Sequence, residues 1–170
     1  MKTKSTLIAL LICFAIIGLL LWGYSKTTII KGDSRNPLQA NLSQSLLTAI
    51  ETIYDFGEIS MKDGNVNKEF TITNSTDKDI NLKTVVTSCM CTSAFIIGQG
   101  YEKGPFKMPG MGYVPPANEI IKAGESIKIK VVYDPNAHGP AGVGPIDRFV
   151  YLSDSEGGKI ELEIKALVKP

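Results

Sequence analysis

From Ile50 onward, apolar and polar residues alternate with a period of two. In "NKEFTITNS", Phe70 and Ile72 share one side and Thr71 and Thr73 the other. "DINLKTVV" sets Ile80 and Leu82 against Asn81 and Lys83. "SIKIKVVYDP" carries Ile127, Ile129, Val131 and Tyr133 in one phase, with Lys128, Lys130 and Val132 in the other. "KIELEIKALV" opposes Ile160, Leu162, Ile164, Ala166 and Val168 to Glu161, Glu163 and Lys165. Successive side chains of a strand point to opposite faces, so the pattern predicts strands with one buried and one wet face. Turn-forming clusters separate the runs: "KDGN" at 62–65, "NSTDKD" at 74–79, "KAGES" at 122–126, "DPNAHGP" at 134–140 and "SEGG" at 155–158. No long amphipathic helical pattern follows residue 50. Roughly seven short strands over residues 50–170 predict an all-β, Ig-like antiparallel β-sandwich.

The front of the chain follows a different rule. Lys2 and Lys4 precede an uncharged stretch from Ser5 to Ser25, apolar from Leu7 to Trp22. At about 1.5 Å per residue, a helix of that length nearly crosses a hydrocarbon core of about 30 Å. Trp22 and Tyr24 fall where an interfacial aromatic belt lies. Residues 1–24 therefore predict a single transmembrane helix acting as a signal anchor. The two lysines put its N-terminus in the cytoplasm and the rest of the chain outside, in a periplasm or at the cell surface. A cleaved signal peptide is the rival reading, with "GYS" before Lys26 as a poor small-x-small cleavage site. Residues 25–49 are mostly polar, include Pro37 and read as a juxtamembrane spacer. Leu38, Leu42, Leu46 and Ile50 recur there every four residues, a period that suits a short helix at most.

Charge narrows the partners. The chain has 18 basic and 17 acidic residues, a formal net charge of +1. Setting aside Lys2 and Lys4 leaves 16 basic against 17 acidic residues in the exported part. A near-neutral domain has no electrostatic footprint for nucleic acid. The expected partners are the membrane, through the N-terminal helix, and other proteins.

Two Gly/Pro-rich intervals break the strand rhythm. Residues 95–120, "FIIGQGYEKGPFKMPGMGYVPPANEI", are too long for an ordinary hairpin loop. Tyr101, Phe106, Met108, Met111 and Tyr113 are interleaved there with glycine and proline, as on a displayed protein-binding loop. The bland alternative is a self-packed loop capping the sandwich. The second interval, "HGPAGVGPIDR" at 138–148, opens with His138, the chain's one histidine.

The candidate chemistry centres on "VVTSCMCTSA", residues 85–94. Cys89 and Cys91 are two apart, so on an extended strand both sulfurs would share a face. Three readings compete. The first is a structural corner, with the cysteines packed or joined in a tight local bridge; such a bridge requires the backbone to bend. The second is a soft-metal site for a copper ion, since thiolates and thioethers suit Cu(I), with Cys89, Cys91, Met90, Met108, Met111 and His138 as candidate ligands. The third is thiol–disulfide chemistry, although the C-x-x-C and βαβ pattern of thioredoxin-like enzymes are missing. No G-x-S-x-G elbow and no phosphate-cradling P-loop occur in the sequence. Glu161 and Glu163 alternate with apolar residues and mark a wet strand face. No catalytic residue is assigned, and the expected role is non-catalytic.

The order of these motifs resembles the domain-of-unknown-function family 1573. The matching segments are "YDFGEIS" (Tyr54 to Ser60), "KEFTITNST" (Lys68 to Thr76), "VTSCMCTSA" (Val86 to Ala94), "IKAGESIKIKVVYDP" (Ile121 to Pro135) and "IELEIKALV" (Ile160 to Val168). The resemblance implies an exported bacterial domain with an Ig-like sandwich akin to the major-sperm-protein and ASPM–SPD2–Hydin domains. It implies no catalytic residues. The sequence departs from the family pattern in the longer segment after the C-x-C and in Met90, where a small residue is usual.

Overall fold

A computed structural model describes residues 45–170. The anchor expected at residues 1–24 and most of the expected spacer lie outside the described residues. Among the described residues, no helix is long and apolar enough to cross a membrane.

Ten strands run in chain order: β1 (Leu47–Ala49), β2 (Ile53–Ser60), β3 (Val66–Asn74), β4 (Ile80–Thr87), β5 (Thr92–Ile97), β6 (Glu102–Phe106), β7 (Glu119–Ile121), β8 (Ser126–Tyr133), β9 (Gly144–Asp154) and β10 (Lys159–Lys169). They form two five-stranded sheets, ordered β1-β3-β8-β5-β6 and β2-β10-β9-β4-β7. The described residues contain no α-helix; Met61–Asp63 and Gly139–Gly142 make single 3₁₀ turns.

The alternation read from the sequence is the packing. Phe70, Ile72, Ile129, Val131, Leu162, Ile164 and Val168 are all buried between the sheets. Each such side chain contributes about 1.5–3 kcal/mol by leaving water. β4 keeps the pattern only with a phase change. Its register with β9 slips between Leu82 and Thr84, so Leu82 and Val85 both face inward although they are an odd three positions apart. Val86 is thereby turned to the outer face.

Four features differ from the sequence reading. Ten strands replace about seven, because β6 and β7 arise inside the interval expected to be one loop. β1 lies in the expected spacer: Leu47–Ala49 pairs antiparallel with β3, and Leu47 enters the core. The boundary at residue 50 is therefore at least five residues too late, since Ser45 is already buried. Finally, the sheets are not wholly antiparallel, because β2 runs parallel to β10. That ladder is interrupted between Lys165 and Leu167, opposite Phe56 and Gly57. Gly57 adopts φ +69°, which an L residue resists, so the glycine admits the extra residue of a bulge.

Candidate functional site: the C-x-C corner

β4 ends at Thr87 and β5 begins at Thr92, so the two cysteines occupy the turn between strands and not a strand itself. Several bonds define that turn. Thr87 Oγ1 lies 3.0 Å from the Cys89 carbonyl and 3.2 Å from that of Thr92, donating between them. Thr92 N donates to the Cys89 carbonyl at 3.2 Å. Ser88 is held to β9 on both sides: its N–H donates to Phe149 O at 2.9 Å, and its Oγ accepts from Phe149 N at 2.9 Å. The bend brings the Cys89 and Cys91 Cα atoms to 5.3 Å, and the sulfurs are joined as a disulfide. Of the three sequence readings, this is the geometry of the tight local bridge.

The pair is asymmetric. Cys91 is 3% exposed and belongs to the core, whereas Cys89 is only half-buried. Each sulfur faces a different nitrogen. His138 Nε2 lies 3.2 Å from Cys89 Sγ. Arg148 Nε donates to Cys91 Sγ at 3.2 Å, while its Nη1 donates to the Asp147 carbonyl at 2.7 Å.

The loop after β8 explains the position of His138. Asp134 N donates to the Cys91 carbonyl at 2.9 Å, tying the start of that loop to the corner. Asp134 Oδ1 then accepts from Asn136 N at 2.8 Å, and Asn136 Nδ2 reaches Met61 O at 2.8 Å. A tight turn closed by Gly139 N on Asn136 O returns His138 toward Cys89.

Arg148 was not singled out from the sequence, yet a signal was present. Ile146, Arg148, Val150 and Leu152 share one phase of β9, and the three apolar members are buried. A cation in the inward phase needs a partner. Among the described residues no carboxylate forms an ion pair with it; its side chain reaches a sulfur and a carbonyl. Burial pushes the Tyr133 hydroxyl above its usual range, and the nearby Arg148 charge works in the opposite direction.

The other candidate residues divide. The ligand atoms of Cys89, Cys91 and His138 lie within 4.8 Å of one another. With the sulfurs bonded together, they can hold a metal only after reduction. Met90 is exposed on the corner. Lys107 O accepts from Thr87 N at 3.3 Å, so the segment carrying Met108 and Met111 starts beside the corner. Of the residues expected on a displayed loop, Met111 (54% exposed) and Tyr113 (86%) are displayed, and Met108 is half-buried. Phe106 is a correction: it pairs with Ala94 at the end of β6 and is wholly buried, because β6 completes the sheet there. Tyr101 stands at the opposite end of β6, where its hydroxyl donates to Glu119 Oε1. That bond, together with burial, pushes Tyr101 up to about 12.

The fold and the corner define a class: a two-sheet, Ig-like β-sandwich whose C-x-C turn is closed by its own disulfide. Residues 47–105 match a family model described as Protein of unknown function (DUF1573), the family that the motifs resemble. No curated protein matches the chain. Among solved structures, a protein of unknown function from Porphyromonas gingivalis W83 is 16% identical with a TM-score of 0.52. The match covers 78% of this chain and 51% of that one, so the chain spans about half the length of that protein. At this identity the likeness is one of fold. An ASH / PapD-like domain of human CEP192 is 8% identical, with a TM-score of 0.46, covering 84% of this chain and 95% of that one. The secreted serine protease VesC from Vibrio cholerae is 15% identical, with a TM-score of 0.45, covering 75% and 23%.

Proposed function

We propose that this chain is a membrane-anchored, extracytoplasmic domain that binds protein partners or scaffolds an envelope assembly without catalysis. The observation that carries the reading is the display of Met111 and Tyr113 on the 107–118 loop of a well-packed sandwich. Large apolar side chains standing in water gain by being covered, and tyrosine and methionine are enriched at protein interfaces. The anchor at residues 1–24 and a cytoplasmic N-terminus rest on the sequence pattern alone. Two experiments test the proposal. A reporter fused after Pro170 should be active only outside the cytoplasm; a cytoplasmic signal refutes the topology. Affinity capture from solubilised envelope should recover a protein with the native chain and lose it with Met111→Ser plus Tyr113→Ser. Equal recovery with both chains refutes the docking surface.

One observation favours a second reading, a copper-carrying role. Two sulfurs and an imidazole gathered within 4.8 Å would give reduced protein a soft, three-ligand set. Titration of the reduced chain with Cu(I) against a competing chelator should show one ion bound, abolished by Cys89→Ser with Cys91→Ser. Unchanged binding in that variant removes the reading.

A further inference from the structure

We propose that the Cys89–Cys91 disulfide is an exchangeable oxidant for dithiols, with Cys89 as the attacked sulfur and Arg148 as the residue that receives the leaving thiolate. The inference goes beyond the binding role and gives its partner a chemistry: a protein presenting two neighbouring thiols.

Three observations converge. The sulfurs differ in access, since Cys91 lies in the core and Cys89 stands at its edge. A nucleophile from solvent therefore meets Cys89 first. The leaving group is then Cys91, whose Sγ already accepts from Arg148 Nε at 3.2 Å. Nearby cations favour a thiolate over a thiol. Lastly, the guanidinium occupies an inward position with no carboxylate counter-charge among the described residues. Reduction supplies the missing anion where the cation already waits. A disulfide whose reduced form is stabilised is the stronger oxidant.

The electrons balance as follows. A partner thiolate attacks Cys89 Sγ; the Cys89–Cys91 bond breaks and its electron pair leaves on Cys91 Sγ beside Arg148. The partner's second thiolate attacks its own sulfur in the mixed disulfide. A partner disulfide forms, and Cys89 leaves as a thiolate 3.2 Å from His138 Nε2. Two electrons pass from the partner dithiol to the cysteine pair, and the partner's two protons go to solvent or to the new thiolates.

The test uses the full chain in a Cys13→Ser background, equilibrated in glutathione buffers and read by alkylation and mass spectrometry. The pair should reduce reversibly with the chain still folded. Arg148→Gln should shift the equilibrium toward the disulfide by roughly tenfold or more, the worth of one charge-assisted hydrogen bond. Arg148→Lys should restore part of that shift, which a merely structural arginine would not require. With reduced glutathione attacking the disulfide, the acid-trapped mixed disulfide should form at Cys89 at least about ten times faster than at Cys91, following exposure. A pair that stays oxidised in excess dithiol overturns the proposal; so do equal rates at the two cysteines, or an equilibrium indifferent to Arg148. Glutathione needs no docking loop. Normal exchange with lost protein capture faults the binding reading alone, and normal capture without exchange faults this one alone.

Discussion

Single side chains set the behaviour of this domain at its turns. Asn74, the last residue of β3, is fully buried and spends every side-chain polar atom. Its Nδ2 donates to Lys78 O at 2.7 Å and Ile121 O at 2.9 Å, while Oδ1 accepts from Thr76 N at 3.1 Å and Thr76 Oγ1 at 2.7 Å. The residue joins the β3–β4 turn to the β7–β8 turn. Asn74→Ala takes the partner from Ile121 O and from Thr76 N, while Thr76 Oγ1 still donates to Lys78 O at 2.9 Å, so urea denaturation should show a loss of about 1–3 kcal/mol. Tyr101 gives a pH signature. Its folded value of about 12 exceeds the model-peptide 10.0, with the bond to Glu119 as the main cause. The unfolded chain therefore ionises first as pH rises. The contact's stabilisation is complete below pH 10 and is lost on the way to about 12. Tyr133 and Tyr151 are also raised, chiefly by burial, and act in the same direction. Tyr101→Phe should thus flatten part, not all, of the alkaline decline in melting temperature.

At the level of elements, strand identity was legible wherever one face is buried. β3, β8 and β10 follow the period of two almost without exception, because sandwich packing imposes it. Elements whose reason to exist is non-local were hidden. β1 has three residues and a partner 25 positions away, Thr48 opposite Thr73. Its dock is a buried carboxylate: Asp154 Oδ2 accepts from Ser45 Oγ, and Oδ1 accepts from Glu156 N at 2.9 Å and Gly158 N at 2.8 Å. Nothing in the local pattern around Ser45 announces a residue on β9. A Cβ at Gly158 would run into the Cα of Ser45 and the Asp154 carboxylate. Gly158→Ala should therefore destabilise by about 1–3 kcal/mol. Hydrogen exchange should show β1 losing protection while β8 keeps it; uniform loss would mean that the dock is not the weak link. The bulge in β4 was hidden for a similar reason, since Lys83 and Thr84 carry no mark of a phase slip.

For the whole molecule, the two sheets gather the ends of β4, β5, β6 and β8 and the start of β9 around one corner. The sequence named Cys89, Cys91 and His138 as candidates but offered no spacing to unite residues 47 and more positions apart. Topology does that work. Arg148 was readable only by noticing a charge in the buried phase of β9, and its relation to Cys91 required the fold. At this scale the disulfide also acts on folding itself. It closes a loop of a very few residues, so it restricts the unfolded chain little. Reduced protein should accordingly melt within a few degrees of oxidised protein, provided Arg148 and Cys91 stay paired; a large drop in melting temperature would make the bridge a structural staple.

The grip at Ser45 also has a mechanical side. If residues ahead of it are tethered, any pull reaches the sandwich through three backbone pairs of β1 and one carboxylate, before the long ladders of β9 and β10 bear load. That fastening would yield first and release residues 45–52 as roughly 25 Å of slack. The domain would then lengthen its leash without surrendering its core, a fuse placed between the tether and the folded body.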